Sequence, residues 1–153
     1  MEIKRDAYLQ QLIERKDNGM IKVITGIRRC GKSFLLFTIF KRYLLENGVD
    51  TDHIIEIALD GIENEELRDP KVCYKFIKDA MKDSKKYYLL LDEVQFMPRF
   101  EEVLNSLIPE GQANSMVWII RRQVFCREWQ KIYTRRSVCK SSEKNKWLIQ
   151  IMS

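Results

Sequence analysis

Two short stretches carry residue types suited to phosphate chemistry. The first, Gly26-Ile27-Arg28-Arg29-Cys30-Gly31-Lys32-Ser33, fits G-x-x-x-x-G-K-[ST], the Walker A pattern of a phosphate-binding loop. A nucleotide carries its charge on the β- and γ-phosphates, and a backbone that wraps those oxygens must turn tightly and come close to them. Gly26 and Gly31 permit that path because they lack a Cβ and tolerate positive φ. Lys32 is then expected to reach the β- and γ-phosphates, and Ser33 to place its hydroxyl on Mg²⁺. The second stretch, Tyr87-Tyr88-Leu89-Leu90-Leu91-Asp92-Glu93, is an apolar run ending in two acids, as in a Walker B motif. Asp92 is expected at the metal beside Ser33, and Glu93 to orient, or take a proton from, the water that attacks the γ-phosphate. Alone, the first stretch also reads as a glycine turn that binds nothing, and the second as a strand meeting a polar turn. Their order and their spacing of about sixty residues favour the chemical reading, and the adjacent acids favour hydrolysis over transfer to a small substrate.

These residues need particular elements to hold them. Met20 to Thr25 reads as a strand feeding the loop. After the loop, Phe34, Leu35, Thr38, Ile39 and Leu45 lie at helical spacing up to Asn47-Gly48, so the loop opens on a helix N-terminus, which favours anions. Upstream, Asp6 is placed to cap a short helix with Tyr8, Leu9, Leu12 and Ile13 on one face, ended by Asn18-Gly19. Downstream come a strand over His53 to Leu59, an acidic loop from Asp60 to Asp69, and a helix opened by Pro70 with Cys73, Phe76, Ile77, Ala80 and Met81 on its apolar side. His53 reads as a strand-edge residue. Strands alternating with helices imply an α/β fold of P-loop NTPase type, a mainly parallel sheet with helices on both faces. The strand ending at Asp92 delivers both acids to its C-terminal edge, where ligands collect in such sheets.

At 153 residues and 45% hydrophobic composition, one domain with a sizeable core is expected. No apolar run approaches a membrane span and no signal-peptide core follows Met1, so a cytoplasmic protein without membrane partners is expected. Cys30, Cys73, Cys126 and Cys139 lie far apart with a single His, so free thiols rather than a zinc site are expected. The net charge of +5 is unevenly spread. Residues 111–153 hold nine Lys/Arg against two Glu, a net +7, while the first 110, with eighteen basic and twenty acidic residues, carry −2. The same segment holds Trp118, Trp129 and Trp147 and lacks Asp and Pro.

The residues from Gly26 to Leu36, and Leu91-Asp92-Glu93-Val94-Gln95, resemble the nucleotide-binding half of prokaryotic AAA-type ATPases in which the ATPase domain precedes a DUF4143-type C-terminal domain. The resemblance spans about Ile3 to Ile108. It implies ATP and Mg²⁺ as ligands, nucleotide contacts from Gly26, Ile27, Arg28, Arg29, Cys30, Gly31, Lys32, Ser33 and Phe34, Ser33 and Asp92 at the metal, and Lys32 and Glu93 in catalysis. Arg28 and Arg29 either contact phosphate or solvate it. Gln95 matches the family pattern without a derivable role.

The family also implies a strand between the two motif-bearing strands, ending in a polar residue that senses the γ-phosphate. Met116-Val117-Trp118-Ile119-Ile120 is the candidate for that place, but Arg121-Arg122 follows it, so the sensor has no obvious replacement and the sheet is expected to be incomplete on its C-terminal side. Two segments are therefore expected: an ATPase portion over 1–108 and a divergent basic tail over 109–153. The composition break near Pro109 suggests a frameshifted or truncated reading frame. Within the tail, Val124, Phe125, Trp129, Ile132 and Tyr133 suit an amphipathic helix, and Trp147 to Met152 a strand or a sticky end. The leading expectation is Mg²⁺-dependent ATP hydrolysis. The alternatives are nucleotide binding without turnover and nucleic-acid binding through residues 121–146. An oligomer is compatible with all three.

Overall fold

The computed structural model describes residues 2–16, 21–26, 29–108, 115–122 and 147–152. Helix α1 spans Glu2–Glu14, and strand β1 spans Ile21–Gly26. Helix α2 is continuous through an α-helical Lys32–Phe34, a π-helical Leu35–Phe40 and an α-helical Lys41–Glu46. Strand β2 (Ile54–Ala58), helix α3 (Pro70–Ala80), strand β3 (Tyr87–Asp92), helix α4 (Phe100–Leu107), strand β4 (Ser115–Arg122) and strand β5 (Trp147–Met152) follow. The five strands form one parallel sheet in the order β2-β3-β4-β1-β5. This is the expected α/β architecture.

Side-chain alternation explains why both sheet faces are covered. Val23, Ile57, Leu89, Leu91, Val117 and Ile119 pack on one face with Cys73 and Ile77 of α3 and Val103, Leu104 and Leu107 of α4. Ile24, Ile54, Tyr88, Leu90 and Ile120 pack on the other with Leu12 of α1 and Leu35, Leu36, Phe40 and Leu44 of α2. The motif-bearing β1 and β3 flank β4, which pairs Ile119 with Val23 and Val117 with Leu89. The central place is thus filled by the expected Met116–Ile120 run, and β3 and β1 keep their backbone partners. Residues 147–152, left open as strand or sticky end, form β5 on the outer edge of β1. Two of the five strands therefore come from beyond residue 108, where the sequence leaves the sheet incomplete.

Local departures have physical reasons. Helix α1 begins at Glu2, so Asp6 lies inside it rather than capping it; the expected stop at Asn18-Gly19 lies outside the described residues. In α2 Leu35 is buried as expected, but the π segment widens the turn, so burial continues through Leu36, Phe40 and Leu44 at four-residue spacing and leaves Phe34 and Leu45 half exposed. Within the expected acidic loop, Ile62–Arg68 forms 3₁₀ turns kinked at Asn64. Pro70 does open α3, and the Asp69 carboxylate accepts from the N–H groups of Lys71 and Val72 at 2.9 and 3.1 Å. Among the described residues, no helix is long and apolar enough to cross a membrane.

Candidate active site

Strand β1 ends at Gly26, buried at the rim of the sheet. Ile27 and Arg28 lie outside the described residues. Arg29 takes φ 62°, and Gly31 takes φ 85° at the N-terminus of α2, accepting from the Leu35 N–H at 2.9 Å. A Cβ disfavours such left-handed geometry, so Gly31 has the conformation its place in the motif requires, whereas Gly26 keeps a strand conformation. Lys32 is only 6% exposed, and its Nζ donates to the Gly26 carbonyl at 3.2 Å and contacts Cys30 Sγ at 3.5 Å. One ammonium therefore touches both ends of the loop. Arg29 is exposed, Cys30 half-buried, and Phe34 half exposed.

At the end of β3, Asp92 is 5% exposed. Ser33 Oγ donates to its Oδ2 at 2.5 Å, joining residues 59 positions apart. Its other oxygen, Oδ1, is buried without a hydrogen-bond partner among the described residues. Burial raises the Asp92 carboxyl above its ordinary range; hydrogen bonding from the Ser33 hydroxyl and the Glu93 backbone N–H opposes this, while the charges of Glu93 and Asp60 add to it. A buried, partly unsatisfied carboxylate beside a hydroxyl offers the hard oxygen ligands that Mg²⁺ takes, and a cation there would satisfy Oδ1. The residues present fit the metal.

Glu93 follows with φ 55° and ψ 45°, reversing the chain into 3₁₀ turns over Val94–Phe96. The Gln95 amide donates to Glu93 Oε2. Strand β2 is tied to the same corner: the Leu59 N–H donates to the Asp92 carbonyl at 3.1 Å. Arg68 Nε donates to the Leu59 carbonyl at 2.8 Å and its Nη2 to that of Asp60 at 3.3 Å, with the guanidinium 5.0 Å from the centre of the Phe96 ring. The structure thus brings Lys32, Ser33, Asp92 and Glu93 to one sheet edge. Sequence reasoning missed Asp60, Arg68, Phe96 and the partner of Gln95, because these contacts depend on how β2 and β3 end side by side. The one available signal was the acid that follows β2.

The opposite edge holds a second polar cluster. His53 Nε2 lies 3.0 Å from Asp83 Oδ2, and the ring packs on Tyr87 at 4.7 Å between centroids. The Tyr87 hydroxyl accepts from the N–H groups of Lys82 and Asp83 at 3.0 and 3.3 Å. His53 stands at the entrance to β2, as expected, with a carboxylate partner the sequence did not place. No group of three metal-ligating side chains occurs among the described residues; Cys30 and Cys73 are free, and Cys126 and Cys139 lie outside them. Beyond Arg122, the expected helix and most of the basic arm over 121–146 also lie outside the described residues.

A family model described as an AAA domain matches residues 18–120. An uncharacterized protein of Haemophilus influenzae is 38% identical over 106 residues, covering 69% of this chain and 26% of that protein. The chain thus spans about a quarter of that relative's length. Among solved structures, a DNA polymerase III gamma subunit-related protein of Thermotoga maritima is similar with a TM-score of 0.56 at 12% identity, over 96% of this chain and 45% of that one. Drosophila ORC bound to DNA is similar with a TM-score of 0.54 at 10% identity, over 97% of this chain and 90% of that one. At such identities these likenesses show a shared fold.

Proposed function

The chain belongs to the AAA domain family, within the AAA+ superfamily of P-loop NTPases, and from that premise we propose that it binds ATP with Mg²⁺ and hydrolyses it to ADP and phosphate. The observation that carries this reading is the Ser33–Asp92 hydrogen bond, which joins the two motifs at a carboxylate whose second oxygen is buried without a hydrogen-bond partner among the described residues. Ser33 and Asp92 hold the metal. Lys32, already seated across the loop, binds phosphate oxygens, with Gly26, Ile27, Arg28, Arg29, Cys30, Gly31 and Phe34 completing the nucleotide contacts. When bound, Mg²⁺ neutralises phosphate charge. Glu93 orients a water and accepts its proton as the water oxygen bonds to the γ-phosphorus and the bond to the leaving ADP oxygen breaks. Residues 1–108 supply this site; residues 109–153, within which the family match ends at residue 120, lend β4 and β5 to the sheet. On the same reading the chain is cytoplasmic and, as in the proteins it resembles, its ATPase portion is the kind that precedes a DUF4143-type domain.

Glu93→Gln tests this directly. Turnover should fall roughly 10²- to 10⁴-fold, with ATP affinity kept within a few-fold. Turnover unaffected by the substitution would sink the reading. A second reading, nucleotide binding without turnover, is favoured by one observation: β4 brings Arg121 and Arg122 into register with Thr25 and Gly26, where the family resemblance implies a polar sensor. ATP binding without measurable hydrolysis in the unsubstituted chain would select it.

A further inference from the structure

The pairing of Gln95 with Glu93 is built by the backbone rather than by chance approach of two flexible side chains. Glu93 holds a left-handed conformation, and the turns after it are closed by the Phe96 N–H on the Glu93 carbonyl at 3.1 Å and the Met97 N–H on the Val94 carbonyl at 3.0 Å. Val94 and Met97, 0% and 1% exposed, anchor this corner in the core beneath β3. Glu93 and Gln95, both half-buried, flank the Val94 anchor, and the Gln95 amide donates to Glu93 Oε2. A strained backbone held by core packing at the end of a motif strand is what a fixed side-chain direction requires.

We propose that Gln95 is the positioning residue for Glu93, its amide holding the carboxylate in the orientation from which Glu93 addresses the attacking water. This rests on the reading of Glu93 as the residue that activates water. A neutral amide suits the task. It removes rotamer freedom from the carboxylate without adding a charge of its own beside it. Positional errors of about an ångström at such a group are costly to the rate while leaving substrate binding intact.

The test uses the full chain and three readouts. In Gln95→Leu, which keeps bulk and removes the donor, kcat should drop about 10-fold with the Kd for ATP unchanged within about twofold. In a Glu93→Gln background, Gln95→Leu should cause no further loss, because the amide acts through that carboxylate. In the nucleotide-free chain, the side-chain amide NMR signals of Gln95 should move on Glu93→Ala. Unchanged kcat in Gln95→Leu, an equal loss in both backgrounds, or amide signals indifferent to Glu93→Ala would each overturn the proposal. Should Gln95→Leu fail to fold, Gln95→Asn, too short to reach Oε2, is read the same way. ATP binding without turnover in the unsubstituted chain fails the hydrolase reading itself. Glu93-dependent turnover that ignores Gln95 fails only this inference.

Discussion

The two ends of the sheet each carry a cluster of ionisable side chains, yet they are built on opposite principles. At the N-terminal edge, His53, Asp83 and Tyr87 satisfy one another and the local backbone, and the Asp83 carboxylate stands in solvent. Hydrogen bonding from the Lys85 N–H, with His53 and Tyr87 contributing, holds the Asp83 carboxyl below its ordinary value. At the C-terminal edge, Asp92 is buried with one oxygen lacking a hydrogen-bond partner among the described residues, its carboxyl is raised by that burial, and the backbone beside it is left-handed at Glu93. One cluster lowers the energy of the folded chain as it stands. The other raises it, which is tolerable where a ligand is to supply the missing partner.

Between the two edges, the largest expected difference is in ligand affinity and belongs to one edge alone. Lys32→Ala should weaken ATP binding roughly 10- to 100-fold, read by nucleotide titration, because a charge-assisted contact to phosphate is lost. His53→Ala should leave that affinity untouched. Next comes stability without ligand. Because the Asp92 pKa is raised, its ionisation opposes folding once the pH rises above the unfolded value of 3.8. Asp92→Asn should therefore stabilise the ligand-free chain at neutral pH by about 1 kcal/mol, a rise of roughly 2–4 °C in Tm, while removing the Mg²⁺ dependence of ATP binding. A fall in Tm would show that the carboxylate is a structural group like Asp83. The sign reverses at the other edge. Asp83, with its pKa lowered, contributes stability that is in place above the unfolded value of 3.8 and lost as the pH falls through the folded value. Asp83→Asn should thus narrow the difference in Tm between pH 7 and pH 3. An equal difference in Tm between the two pH values in the unsubstituted chain and the variant would remove Asp83 from the account. The smallest effect is chemical. Burial pushes the Cys73 thiol up to about 11, so it should resist alkylation in the native chain, whereas half-buried Cys30 should react and be protected by ATP. Peptide mapping after labelling reads both.

Much of this was legible in residue order, for identifiable reasons. The α/β class followed from strands alternating with helices, and the place of Lys32, Ser33, Asp92 and Glu93 from motifs whose spacing is set by the lengths of those elements. Met116–Ile120 was legible as the central strand because an apolar run had to fill that gap. The phase of α2 was not legible: the π segment at Leu35–Phe40 shifts which side chains face the sheet, and single-residue periodicity assumes a uniform helix. Nor was the resolution of residues 147–152 into an edge strand, since an apolar hexapeptide carries no record of its partner.

From its sequence alone, the chain has a loop able to wrap phosphate, because Gly31 permits a left-handed turn and Lys32 and Ser33 follow it, and two acids delivered by an apolar strand. Local chemistry and covalent order suffice for that. Only the tertiary structure decided that Ser33 hydrogen-bonds Asp92 directly, that one Asp92 oxygen is buried without a hydrogen-bond partner among the described residues, and that Gln95 takes hold of Glu93. Those features arise where β1 and β3 end on either side of β4, and burial and partnership at that edge are properties of the packed sheet rather than of any stretch of residues.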